Sequence, residues 1–136
     1  MHGNAGNAGL FSTAEEIAAI FLMLQNGGVY EGTRYLSENT VKEFTKMHSL
    51  HGCQVRGYGF HTPKSSGESS IVPTGASTHI FGHQGFTGTV VWCDPKEELI
   101  FVFLSNRVCP NAEPNNLAKS GIRLKVHDLI YRGLKR

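Results

Sequence analysis

Charge is the first thing this 136-residue chain is short of. Charged residues make up 18% of it, and thirteen basic against eleven acidic side chains leave a formal charge of +2. No stretch gathers the basic residues into a stripe, so capture of nucleic acid is not expected. Long apolar runs are also missing. The longest, Ile17 to Leu24, falls far below the roughly 20 residues that cross a bilayer, so no membrane span is expected. Nothing at the start pairs a charged segment with an apolar one, so no signal peptide is expected either. Cysteine is sparse. Cys53, Cys93 and Cys109 are an odd number with no C-x-x-C, which argues for free thiols rather than a disulfide framework. Catalytic motifs are absent as well: the chain has no G-x-S-x-G, no P-loop, no H-E-x-x-H and no S-x-x-K.

What is present fits one domain over residues 1–136, long enough to bury a single core. After a Gly/Asn-rich start, "FSTAEEIAAIFLMLQNGG" predicts a helix, with Ser12 capping it and Glu15 closing a capping box. Ile17, Ile20, Phe21 and Leu24 form its apolar face, and Asn26-Gly27-Gly28 ends it. A small hairpin around Glu31-Gly32 follows, then a second helix capped by Ser37 with Val41 and Phe44 inward. Beyond Ser49 the pattern turns to period two. Strands are predicted at 56–62, 79–84, 87–94 and 98–106, with a polar, Ser-rich excursion at 63–78. Asp94-Pro95-Lys96-Glu97 joins the last two as a hairpin, and the doubly apolar run Leu99 to Leu104 belongs at the sheet's centre. Ile122, Val126, Leu129 and Ile130 mark a C-terminal amphipathic helix. The order implies an α+β fold: an antiparallel meander of about four strands, flanked by two N-terminal helices and a C-terminal one.

Three stretches carry candidate chemistry. His48, His51, Cys53 and His61 are possible zinc ligands, but H-x2-H-x-C-x7-H is not a standard zinc spacing, and a loop with solvent-facing histidines explains it as well. No metal or cofactor is expected. Ser37-Glu38-Asn39 matches a loose S-x-N pattern but sits where a helix cap belongs. The third stretch is "FGHQGFTGTVVW". Glycines at 82, 85 and 88 either mark a bulge or tight packing point, or bare a strand edge for an extended ligand or acyl group. A backbone N–H beside the second glycine is placed to donate into an oxyanion hole, with the His83 imidazole close by.

Four blocks in order, "GNAGLFSTAEEIAAIFLMLQNGGVYEGTRYLSENTVKEF", "RGYGF", "FGHQGFTGTVVWCDP" and "IFVFLSNRV", resemble the C-terminal third of the serine β-lactamase-related and penicillin-binding protein superfamily, class C-like in flavour. The likeness is nearest to modules that follow a family 3 glycoside hydrolase of β-N-acetylglucosaminidase type. It implies a partial β-lactamase/transpeptidase-like fold and an acyl-transfer site built from S-x-x-K, Y-x-N and K-T-G. His83 takes the lysine position of K-T-G, Gln84 the threonine position and Gly85 the glycine position. The Phe86 backbone N–H becomes the second oxyanion donor, and Gln84 and Thr87 line the substrate.

Two consequences follow from the resemblance. Histidine for lysine replaces a permanent cation with a group of reference pKa about 6.5, so weaker carboxylate recognition and an esterase- or peptidase-like activity are expected. The Ser/Lys pair and the Tyr are expected in an upstream part of the same polypeptide, leaving this chain inactive alone. The resemblance also implies a periplasmic or extracellular setting, and a sheet surface left open would favour self-association. A non-catalytic module binding cell-wall peptide or glycan through the same strand is the rival expectation.

Overall fold

The computed structural model describes residues 8–49, 55–63 and 71–134. Helix α1 spans Ala14–Gln25 and α2 spans Glu38–Thr45, with a two-stranded hairpin between them, β1 (Val29–Tyr30) and β2 (Thr33–Arg34). Strands β3 (Phe81–Gln84), β4 (Val90–Asp94) and β5 (Leu99–Phe103) form an antiparallel meander with β4 in the middle. A single-turn helix α3 (Asn116–Ser120) leads into α4 (Ile122–Leu134). The fold is α+β, as the sequence implies.

Local chemistry sets the element ends. Helix α1 is capped by Thr13, not Ser12: the Glu16 amide donates to Thr13 Oγ1 at 3.3 Å, and the Thr13 amide donates to the Glu16 carboxylate at 3.0 Å. Two overlapping S/T-x-x-E boxes are present, and Ser12 joins the chosen one by donating to Glu16 at 2.7 Å. Past Asn26, Gly27 and Gly28 take φ of +61° and +96°, as a glycine terminus requires. The β1–β2 turn places Glu31 and Gly32 at φ +48° and +77°, the paired positive angles that suit a two-residue hairpin. Ser37 caps α2 by accepting the Thr40 amide at 3.0 Å, which accounts for the S-x-N pattern.

Helices cover both faces of the meander. On one face Phe21 of α1 packs with Phe81 and Cys93, bordered by Ile17, Leu24, Phe60, Val91 and Ile100. On the other, Trp92, Ile80, Val90, Val72 and Phe101 meet Val126 and Ile130 of α4. Burying Trp92 alone removes roughly 150–250 Å² from water, on the order of 4–6 kcal/mol at about 25 cal/mol per Å².

Several expectations shift against this frame. Strand β5 is not central, since among the described residues it pairs with β4 alone; its two apolar faces reflect cover by α1 and α4. The segment 56–62 forms isolated bridges (His48 with Arg56, His61 with Gly82) rather than a strand, because Gly59 at φ +81° breaks the extension. Ile20 and Phe44 are half exposed, Phe44 lying edge-on to Tyr58 instead of facing inward. Ile122 and Leu129 also point to solvent; α4 buries His127 and Tyr131 beside Val126 and Ile130.

A buried polar knot ties these layers together. Asp94, at the end of β4, accepts from the Ser77 amide (2.8 Å), the Ser77 hydroxyl (2.5 Å), the Lys96 amide (3.2 Å) and the Tyr131 hydroxyl of α4 (2.7 Å). Burial pushes the Asp94 carboxyl upward, but the bonds from Ser77, Tyr131 and Lys96 outweigh it and hold the group below its ordinary value.

Candidate active site at the β3 edge

Strand β3 pairs with β4 in the register Phe81 with Cys93, Gly82 with Trp92, His83 with Val91 and Gln84 with Val90. Gly82 spends both backbone groups on the far side, donating to His61 O (3.1 Å) and accepting from His61 N (2.7 Å). Backbone groups alternate in an antiparallel pair, so those of Gln84 also point to that outer edge. Beyond the strand, Gly85 N donates to Thr89 O at 2.8 Å and Gly88 N to Gly85 O at 3.0 Å, closing the loop into β4.

Each glycine of "GHQGFTG" has a reason within the chain. A Cβ on Gly82 would overlap Val91 O and come within 2.7 Å of the Trp92 ring. One on Gly85 would overlap Thr89 Oγ1, and one on Gly88, at φ +99°, would run into Leu117 and Ser105. Tight packing therefore explains these residue types without any ligand. What the ligand expectation retains is the edge itself.

The five expected site residues lie together on this edge and loop. His83 is exposed, Gln84 half-buried, and Gly85, Phe86 and Thr87 exposed, Phe86 at 73%. The carbonyls here are taken: Gln84 O by His83 Nδ1 (2.8 Å), Phe86 O by Arg107 Nε (2.7 Å) and Thr87 O by Arg107 N (2.9 Å). No described group accepts from the N–H of Phe86. Arg107 also stacks its guanidinium 4.3 Å from the Phe86 ring centre and donates to Ala112 O, pinning the loop.

Two neighbours of His83 were not expected at this edge: Arg56, and His61, which the sequence offered only as a possible zinc ligand. Arg56 Nη2 lies 3.2 Å from His83 Nε2, and the His61 ring centre lies 4.6 Å from that of His83. Arginine only donates, so His83 Nε2 accepts and Nδ1 carries the proton given to Gln84 O. Burial, with the nearby Arg56 charge and His83, pushes His61 down to about 4. The permanent charge at this edge is the Arg56 guanidinium. Nothing in "RGYGF" itself gives its arginine a role, because 27 residues separate it from His83.

The possible zinc cluster does not assemble in what is described. His51 and Cys53 lie outside the described residues. His48 bonds Glu43 O at 2.7 Å and stacks on Tyr58, while His61 faces His83. Among the described residues no group of three or more His, Cys, Asp or Glu is arranged to hold a metal. Cys93 and Cys109 are free thiols, and burial pushes the Cys93 thiol up to about 12. No helix among the described residues is long and apolar enough to cross a membrane.

The family model described as Beta-lactamase matches residues 1–122. The chain belongs to the Beta-lactamase family. It is similar to a putative D-alanyl-D-alanine carboxypeptidase of Salmonella agona (strain SL483), at 31% identity over 147 residues that cover 99% of this chain and 33% of that protein. A protein of the same description from Salmonella enteritidis PT4 (strain P125109) is 33% identical over the same shares. The chain thus spans about a third of the length of the curated relatives it matches. The crystal structure of a beta-lactamase from Mycobacterium bovis superposes with a TM-score of 0.65 at 22% identity, covering 90% of this chain and 44% of that one. That likeness speaks for the fold: an α+β, partial β-lactamase-like module.

Proposed function

We propose that this part of the Beta-lactamase family forms one wall of an acyl-transfer site, acting on ester or peptide-like substrates through a serine carried on a separate stretch of polypeptide. The observation that carries the proposal is the β3 edge, where His83-Gln84-Gly85 stand in the K-T-G order and the Phe86 N–H meets no described acceptor. In the reaction the serine oxygen attacks the acyl carbon and the leaving group departs; water then releases the acyl group. The Phe86 N–H stabilises the oxyanion of each tetrahedral intermediate. One such donor is worth about 10²–10³ in rate. Gln84 and Thr87 flank the acyl chain, and Arg107 holds the Phe86 carbonyl so that the loop keeps its shape.

The 136 residues contain no S-x-x-K, so the chain by itself is expected to turn over no substrate. The similar proteins are named as carboxypeptidases, which favours a peptidase-like substrate and an exported, periplasmic or extracellular setting. The narrower likeness to modules following a glycoside hydrolase draws no support from them and forms no part of the proposal. Fluorophosphonate labelling tests the mechanism. A longer protein containing these residues should be labelled on one serine, with Phe86→Pro slowing labelling about a hundredfold. A folded protein with no labelled serine would sink the proposal.

A further inference from the structure

The loop that joins β3 to β4 is held by two arginines, one just after β5 and one in the first turn of α4. Arg107 donates from Nε to the Phe86 carbonyl (2.7 Å), from Nη1 to Ala112 O (3.1 Å) and from its backbone N–H to Thr87 O (2.9 Å). Arg123 donates from Nη1 to the Gly88 carbonyl at 3.1 Å. A guanidinium carries five N–H donors, so Nη2 of Arg107 and both Nε and Nη2 of Arg123 are unspent on described groups. Both side chains are half-buried. Neither is paired with a carboxylate among the described residues, where the ion pairs are Lys42 with Glu38 and Lys46 with Glu43. Burial, and then the Arg107 charge beside it, push Arg123 below its ordinary value. The first turn of α4 holds no acidic residue, and the helix dipole adds positive potential there. The Ser105 hydroxyl, buried against Gly88 near the Arg107 stem, has no partner either. Donors and like charges gathered with no acceptor beyond carbonyls are the complement of an anion.

We propose that Arg107 and Arg123 form a binding site for a phosphate group, taken as free phosphate or a small phosphate monoester, beside the β3–β4 loop. This goes beyond the functional proposal above: the site lies where the loop faces the end of β5 and the start of α4, and no serine or acyl group takes part. A carboxylate has two oxygens and is met by one guanidinium fork. A phosphate monoester has three free oxygens, enough to engage two forks at once. The guanidiniums are recessed rather than fully exposed, which favours a small soluble ion over the headgroups of a lipid surface. Bound there, the ion offsets both charges and, through the two carbonyl bonds, fixes the loop at Phe86 and Gly88.

Thermal melts of the full chain in chloride, acetate and inorganic phosphate, at matched ionic strength, test the assignment. Phosphate should raise Tm saturably, by about 4 °C at a concentration roughly tenfold above half-saturation. Acetate should bind at least about tenfold more weakly, the scale of one charge-assisted hydrogen bond. Phosphate also stabilises proteins by exclusion from their surface, so the variants decide. Arg123→Gln and Arg107→Gln should each weaken the phosphate response at least about tenfold. Lys125→Gln, the same charge change at an exposed position of α4, should leave it intact. In nitrogen-15 spectra of the unaltered chain, the Nε–H signals of Arg107 and Arg123 should shift along one saturation curve, a readout that stands even where a variant fails to fold. Three results would overturn the proposal: no saturable shift of these signals, a Tm rise equal in Arg123→Gln and the unaltered chain, or binding to phosphatidic acid vesicles without response to the free ion.

Discussion

Replacing Tyr131 by phenylalanine removes a single oxygen atom from the centre of the fold. The ring keeps its place, 1% exposed against Gly75 and 5.2 Å from the His127 ring, so little packing changes. What goes is the 2.7 Å hydrogen bond to the Asp94 carboxylate, which is itself 0% exposed. Hydrogen bonds to charged groups contribute about 1.5–3 kcal/mol, and three donors from Ser77 and Lys96 stay in place. The expected loss is therefore about 2 kcal/mol. For a domain of this size it lowers Tm by about 6–10 °C.

Urea unfolding followed by circular dichroism measures it, with an unchanged m-value showing that only stability has moved. A double-mutant cycle with Asp94→Asn assigns the bond. In the Asp94→Asn background, Tyr131→Phe should cost at least about 1 kcal/mol less, since the charged acceptor is gone. The pH dependence follows from the sign of the Asp94 shift. A carboxyl depressed in the folded state stabilises fully above its unfolded value, about 4, and loses that stabilisation as pH falls through the folded value. Asp94→Asn should flatten this acid slope. A Tyr131→Phe loss below about 0.5 kcal/mol, or a cycle with no coupling, would show that the hydroxyl does not hold the carboxylate.

Three further outcomes are expected. Gly82→Ala should destabilise by about 3 kcal/mol or more in urea titration, because its Cβ overlaps the Val91 carbonyl and the Trp92 ring of the central strand. Gly85→Ala meets only the Thr89 hydroxyl at close range, so Thr89→Ala should rescue its stability in thermal melts; in a longer, serine-bearing protein, labelling stays impaired in the rescued variant if the acyl group passes over Gly85. Burial pushes His127 down to about 4, so it stays neutral in the fold and charges on unfolding. Its contribution is full above about pH 6.5 and is lost toward pH 4. His127→Phe, keeping the stack on Phe101, should flatten that slope by about 2 kcal/mol, read from stability at pH 4.5 and 7.

Much of the fold was legible because its helices and turns are governed by near neighbours. Capping boxes, the Asn-Gly-Gly stop and the Glu31-Gly32 turn act over a few residues, and each appears where expected to within one position. The misplacements come from tertiary partners. Helix α4 shows apolar spacing at Ile122, Val126, Leu129 and Ile130, yet it turns His127 and Tyr131 inward because Asp94 and Phe101 await them. The site followed the same rule. "FGHQGFTG" announced a strand and loop with unusual backbone needs, and the structure assigns those needs first to Trp92, Thr89 and Leu117. Arg56 was invisible because its partner is 27 residues away and no local pattern joins them.

The two outer edges of the meander differ in what they offer a second strand. On strand β3 both outward groups of Gly82 pair with His61 and the Gln84 carbonyl accepts from His83, so a second strand laid against it would find no alternating row of donors and acceptors. Strand β5, paired only with β4 among the described residues, has no such blocking contacts at Leu99–Phe103, and its side chains are apolar on both faces. An edge of that kind is a template for pairing. We therefore expect the isolated chain to self-associate through β5, with sedimentation velocity showing mass that rises with concentration. Val102→Lys, a charge at the middle of that strand, should restore the monomer, whereas His83→Lys on β3 should leave association unchanged. A monomer at high concentration would refute the argument, as would association abolished by His83→Lys and untouched by Val102→Lys.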